Sequence, residues 1–332
     1  MTTPIASTAQ MRAVTQQGYG SPDVLELREA AAPTPKADEV LIRVRAAGVN
    51  AADVHLMRGD PRAVRLVTGL RTPRQPILGA DVSGVVEAVG ADVTEFRPGD
   101  EVMAEVMRGG YAELAAVAAS RVAPKPRSLG FTEAAVLPVP GVTALVTVRD
   151  AGRVGPGQRV LVNGASGAVG HLAVQMAVAL GAEVTAVCST RNVELVRSLG
   201  AAHVVDYTTD DFTLAAEPYD VVIDTVGNRT LSECRRVLTP RGRYVLVGAA
   251  SSGHWLGMGR QLRMMLTSPF VKQSLVAVMN KPSRTHLQTL TGLVDSGSLR
   301  PVVNRTFPLA EAPDALRFVE AGHARGKVVI EL

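Results

Sequence analysis

Between Met11 and about Ala135 the apolar and polar positions change over in short runs. VLELRE, EVLIRVRAAGV, SGVVEAVG and DEVMAEV are each bounded by Gly, Pro or Asp, and Pro98-Gly99 and Gly109-Gly110 mark turns. Short β-rich runs separated by turn residues predict a mostly antiparallel barrel or sandwich. The middle of the chain has a different period. The apolar strand RVLVNGA precedes a helix-period stretch, GHLAVQMAVALG; EVTAVCS, VELVRSLG, HVVDY, YDVVIDTVG, LSECRRVL and GRYVLVGAA follow. Nearly unbroken Val/Ile/Leu strands alternating with helices predict a parallel sheet buried on both faces, and right-handed crossovers make it doubly wound. After about Lys281 come helix THLQTLTGLVDSG, strand VVNRTFPL, helix APDALRFVEAGHA and strand KVVIEL. This last segment is too short to stand alone and is expected to fold back onto the first.

Composition narrows the classes without choosing a function. The chain has 332 residues, 46% hydrophobic and 20% charged, enough for two domains with cores of their own. Residues 1–10 are small and polar and read as a flexible tail rather than a secretory signal. Apolar stretches are broken by charge or glycine before 18 residues, so no membrane partner is expected. Cys188 and Cys234 lie in apolar segments and read as two buried thiols of a cytoplasmic protein. The net charge is +4, with arginines densest in RGDPRAVRLVTGLRTPR, residues 58–74. No aromatic residue interleaves them, which argues against a nucleic-acid partner. A solvated face, a mouth attracting an anionic ligand, and a cover for the cleft are the readings open for that segment.

The most specific motif is RVLVNGASGAVGHLAVQMA, in which Gly167 and Gly170 lie between a strand and a helix. Glycines there let backbone N–H groups approach a pyrophosphate at the positive end of the helix. The next strand ends in Ser189, Thr190 and Arg191 where a carboxylate would select NAD. Hydroxyls and a guanidinium suit a 2′-phosphate, so NADPH is the expected cofactor. The other reading makes Arg191 the first exposed residue of the next helix, with Glu194 as its partner. In AAGVNAADVHLMRG, residues 46–59, Asn50, Asp53 and His55 stand close together and raise the question of a metal.

From Met11 onward the chain resembles the medium-chain dehydrogenase/reductase superfamily. The resemblance rests on GSPDVLELRE, RVRAAGVNAADV, PILGADVSGVVEAVGADVTEFRPGDEV, GGYAEL, GASGAVG, VIDTVG and GHARGKVVI. It implies an α/β protein: a GroES-like β-rich catalytic domain from residues 11–135 and 282–332, and a Rossmann NADP-binding domain from 136–281, with the active site between them. Zinc-dependent members carry a cysteine where this chain has Asn50 and a His-Glu pair where it has Ala80-Asp81. Asn and Ala do not replace thiolate and imidazole, and the four-cysteine lobe is absent, so no metal ligands are assigned. The pattern resembles the zinc-free quinone oxidoreductase branch, with its zeta-crystallin-like and reticulon-interacting-protein-like members.

That resemblance implies NADPH-dependent hydride transfer to quinones or α,β-unsaturated carbonyls, small-molecule substrates and a homodimer, whose interface is expected at the edge strand near SLVAVMNK, residues 274–281. Ser166, Gly167, Ala168 and Val169 would line the pyrophosphate, Ser189 and Arg191 the 2′-phosphate, and Tyr207 the adenosine end. Val226, Gly227, Val247, Gly248, Ala249 and Ala250 would flank the nicotinamide half, with Gly326 and Lys327 closing the site. Asn50, His55 and Thr143 are the catalytic candidates. For His55 two readings stand: a proton donor near neutral pH, or an imidazole bonded to the loop backbone. Asp53 reads as a brace for the turn, and Tyr111 either borders substrate or packs. The competing functions are a zinc-free alcohol dehydrogenase-like enzyme and an NADPH-binding interaction protein with little turnover.

Overall fold

The computed structural model describes residues 9–248, 259–278, 283–322 and 324–332. Strands Arg159–Asn163, Glu183–Cys188, His203–Asp206, Tyr219–Asp224, Leu238–Val247 and Ser274–Val278 form one six-stranded parallel sheet. Its spatial order is 203–206, 183–188, 159–163, 219–224, 238–247, 274–278. The order reverses beside Arg159–Asn163, so helices leave the two central strands toward opposite faces and open a crevice at their carboxyl ends. Residues 160–163 and 184–188 are buried without a break, as a sheet covered on both faces requires.

The second sheet has seven strands drawn from both ends of the chain. Strand Glu39–Val49 is its centre: Arg43 and Arg45 face solvent while Ile42, Val44 and Ala47 enter the core. It pairs antiparallel with Asp81–Val89, with Leu114–Ala118 along its first half, and with Lys327–Glu331 along its last residues. Glu101–Glu105, Val122–Pro124 and Val303–Pro308 complete the sheet. A hairpin of Gln10–Gln16 and Leu25–Ala31 stands apart, tied on by single bridges at Ala13–Ala112 and Thr15–Ile77.

With the division expected at 135/136 and 281/282, helix Arg284–Asp295 packs against both units. Helix Arg284–Asp295, assigned by sequence to the first unit, sends Leu287, Leu290 and Val294 into the core that also holds Val160, Val162 and Ile223. It lies between helix Pro138–Leu145 and strand Val122–Pro124, where the Thr291 hydroxyl donates to the Pro124 carbonyl at 3.1 Å. An amphipathic period shows that one face is buried but not against which neighbour. Among the described residues no helix is long and apolar enough to cross a membrane, and both cysteines are buried and unpaired.

Candidate active site at the sheet crevice

Strand Arg159–Asn163 runs through a tight turn into helix Gly170–Ala179. A Cβ at Gly170 would lie 2.1 Å from the Gly164 carbonyl oxygen, so the turn closes only around glycine. Ser166 and Gly167 lie on this turn, and the Gly326 N–H donates to the Ser166 carbonyl at 2.7 Å. His171, in the first helical turn, is fully buried. Its Nδ1 lies 2.9 Å from the Gly167 carbonyl and its Nε2 accepts from the Val302 N–H at 3.1 Å. Only a neutral ring with its proton on Nδ1 can make both bonds, and burial pushes its pKa down to about 4. Gln175, one turn on, bonds both backbone groups of Arg300, at 2.8 and 3.0 Å. The phosphate turn is thus clasped to the C-terminal segment by side chains that sequence reading passed over.

Near Ser189 and Arg191, Asn192 was also missed. Its buried Nδ2 donates to the Ser166 hydroxyl at 3.0 Å and the Ser189 hydroxyl at 3.1 Å, joining two turns 26 residues apart. Its Oδ1 is buried with no partner among the described residues. An orphaned acceptor between the pyrophosphate turn and the end of the second strand suits a ribose hydroxyl. The glycine turn and this acceptor both fit a dinucleotide. Arg191 is exposed beside it, and Tyr207, also exposed, follows strand His203–Asp206 with its N–H on the Cys188 carbonyl. Hydrogen bonds from Thr190 and Thr208 hold the nearby Asp206 carboxyl below the usual range.

Beside the turn expected to flank the nicotinamide half, Asp224 terminates its strand fully buried. Its Oδ1 accepts from Asn163 Nδ2 at 2.9 Å and from the N–H groups of Val226 and Gly227 at 3.1 and 2.8 Å. Its Oδ2 accepts from the Tyr244 hydroxyl at 2.6 Å, with Arg260 3.6 Å away. A carboxylate satisfied in this way shapes the Val226-Gly227 turn (Gly227 at φ +73°). A charged residue ending the run VVID just before a glycine is the signal that could have found it. Val247 is buried, Gly248 adopts φ +75°, and Ala249 and Ala250 lie outside the described residues.

The opposite wall is built on helix Ala51–Arg58, which Asn50 precedes. Asp53 Oδ2 accepts from the Asn50 N–H at 2.8 Å and the Tyr111 hydroxyl at 2.9 Å, so Asp53 braces the turn and Tyr111, fully buried, packs rather than borders substrate. Burial raises the pKa of both groups. The Asn50 carboxamide is held at both ends: Nδ2 donates to Asp81 Oδ2 at 2.9 Å, and Oδ1 accepts from Lys327 Nζ at 2.5 Å. Lys327 also reaches Asp81 Oδ2 at 2.7 Å, and Asp81 Oδ1 accepts from the Val139 N–H at 2.6 Å, at the start of the helix that carries Thr143. Lys327, expected on the cofactor, therefore has its ammonium committed to this buried pair. Thr143 is 9% exposed, and the half-buried His55 ring makes no hydrogen bond among the described residues. In the arginine-rich segment, Arg58 pairs with Glu320 at 2.8 Å and Arg65 stacks on Tyr19, so both fasten the segment to its own scaffold.

Two family models match: an alcohol dehydrogenase GroES-like domain over residues 36–127 and a zinc-binding dehydrogenase over 199–330. The mitochondrial NAD(P)H oxidoreductase RTN4IP1 of Mus musculus is 36% identical over 330 residues, covering 89% of this chain and 82% of its own. A 2-methylene-furan-3-one reductase of Solanum lycopersicum is 34% identical over 343 residues, covering 99% and 81%. The solved quinone oxidoreductase of Coxiella burnetii superposes with a TM-score of 0.84 at 31% identity, over 98% of this chain and all of that one. The crevice, the glycine turn and these relatives agree: the chain belongs to the quinone oxidoreductase-like branch of the medium-chain dehydrogenase/reductase superfamily.

Proposed function

We propose that this protein is an NADPH-dependent reductase of quinones or α,β-unsaturated carbonyls that works without zinc. The observation that carries the reading is the Lys327 ammonium, buried 2.5 Å from Asn50 and 2.7 Å from Asp81. It and Asp81 hold both ends of the Asn50 carboxamide, which stands where zinc-dependent members carry a thiolate. An amide bonded in this way is no replacement for that ligand.

Without a metal, the wall of the site offers hydrogen-bond donors. The nicotinamide cofactor supplies a hydride when bound at the crevice. Ser166, Gly167, Ala168 and Val169 would receive its pyrophosphate, Asn192 its ribose, and Ser189 and Arg191 a 2′-phosphate. Asn50 and Thr143 hold the substrate oxygen on which negative charge gathers. One such preorganised donor contributes about 2.7–4 kcal/mol. Acceptors that already delocalise charge onto that oxygen need no more than this, whereas a simple alcohol needs a stronger Lewis acid. His55, half-buried with no ring partner among the described residues, is the proton source in this reading.

Among the described residues the edge strand Ser274–Val278 pairs on one side only, and a second copy would satisfy its open side. A homodimer follows as the proposed assembly; residues 279–281 of the expected interface lie outside the described residues.

NADPH oxidation with 9,10-phenanthrenequinone, 1,4-benzoquinone and a simple enone, with and without a chelator, tests the reading. Turnover that survives chelation is expected. No turnover on any acceptor would leave the interaction-protein reading, and loss on chelation would overturn the zinc-free chemistry.

A further inference from the structure

Lys327 and Asp81 are both fully buried and form an ion pair at 2.7 Å. Such a pair gives little net stability, because desolvation of both charges offsets their attraction and a well-packed apolar pair does as well or better. The surroundings are nonetheless shaped to hold it. A Cβ at Gly48 would lie 2.7 Å from Lys327 Cε, 3.0 Å from Asp81 Oδ2 and 2.6 Å from the Ala135 carbonyl, so the ammonium reaches its partners only past a glycine.

The pair has one consequence that an apolar pair lacks: it orients an amide. An ammonium only donates and a carboxylate only accepts. With Lys327 on one end of the Asn50 side chain and Asp81 on the other, Oδ1 must face the lysine and Nδ2 the aspartate. Oδ1 is then held on the lysine side and one N–H of Nδ2 is taken. The remaining N–H, without a partner among the described residues, is the donor Asn50 has left to offer a ligand. A free amide flips and shows a substrate oxygen either a donor or a repelling lone pair; this one keeps its NH₂ end fixed.

We infer that Lys327 and Asp81 are positioning residues that lock the Asn50 amide with its N–H toward the substrate oxygen, rather than ligands of the cofactor. The inference rests on the reductase reading for the identity of that oxygen. The lock also reaches the cofactor side of the crevice. Lys327 follows Gly326, whose N–H holds the Ser166 carbonyl, and Asp81 holds Val139 at the head of the Thr143 helix.

The test is the charge-free double variant Lys327→Met/Asp81→Asn. The Val139 N–H keeps the oxygen at position 81, so the introduced amide turns its NH₂ toward Asn50 and obliges Asn50 to invert. The expected result is a fall in kcat on the order of 10²-fold, the loss seen when one oxyanion donor is removed. The NADPH dissociation constant, read by fluorescence, should stay within about twofold, since no cofactor contact is removed. Adding Asn50→Ala to the double variant should cost nothing further, because both changes remove one donor. A marked rise in the NADPH dissociation constant, an unchanged kcat, or losses that multiply would each overturn the inference.

An independent reading needs neither turnover nor a variant that survives. In ¹⁵N-labelled wild-type protein, the Asp81-bonded proton of the Asn50 side-chain amide should lie well downfield of its position in a freely solvated asparagine and exchange slowly with water, the pair being assigned by its absence in Asn50→Ala. Both protons at the positions of a freely solvated amide, exchanging rapidly, would refute the lock even if the protein reduces quinones. A downfield, protected proton in a protein that turns over no acceptor would fault the reductase reading and leave the lock standing.

Discussion

The pH dependence of stability should carry the signature of one residue, His171. The folded protein holds this ring neutral, with its pKa lowered from 6.5 to about 4. Burial is the main cause, and a second ring proton would also face the Val302 N–H that now donates to Nε2. A lowered folded-state value means that the unfolded chain takes up the proton first. The stabilisation is therefore complete above pH 6.5, is lost as pH falls from 6.5 to 4, and changes no further below about 4. At pH 5 the unfolded histidine is almost wholly protonated and the folded one only about a tenth so. The contribution lost between pH 7 and pH 5 is then about 2 kcal/mol, and about 3 kcal/mol over the whole window. Carboxylates titrate too, and Asp53, whose pKa is raised, works in the opposite direction. The measurement is therefore a difference: urea unfolding by far-ultraviolet circular dichroism at both pH values, for wild type and His171→Gln. The wild type should lose about 2 kcal/mol more than the variant. Equal losses, or an imidazole proton shift that titrates near pH 6.5 in the folded protein, would refute the reasoning.

Other consequences are quickly checked. Gly170→Ala puts a methyl group 2.1 Å from the Gly164 carbonyl, so it should destabilise by about 1–3 kcal/mol and weaken NADPH binding by calorimetry. Gly292→Ala, in the middle of helix Arg284–Asp295 with no atom within 4 Å of the new Cβ, should instead stabilise by about 0.5–1 kcal/mol. Arg191→Ala should weaken NADPH far more than NADH; equal losses would remove the guanidinium from the 2′-phosphate.

Much of the architecture was legible because its causes are local. Val, Ile and Leu in unbroken runs mark a parallel sheet wherever they lie, and alternation with Arg43 and Arg45 marks Glu39–Val49 as half-solvated. Gly170 is demanded by a turn within its own motif, and Asp53 by the turn it braces three residues from Asn50. Periodicity likewise announced the amphipathic helix Arg284–Asp295, but the neighbours that accept its apolar face are chosen by packing, which sets it against both expected units.

The site depended on distance in space. Asn50 meets Lys327 across 277 positions of sequence, and Asp81 meets it across 246, because strands from the two ends of the chain pair in one sheet. No local pattern marks Lys327 as the partner of an amide, so sequence set it beside the cofactor whereas the fold buries it behind Asn50. Asn192 and His171 follow the same rule, for each gains its meaning only when a distant turn closes against it. The sequence by itself determined the elements, the dinucleotide turn and the residues absent from a zinc site. Tertiary structure alone decided which polar groups are satisfied inside the protein and which remain free for a ligand, because hydrogen bonds in a dry interior are settled by whatever the fold brings within 3 Å.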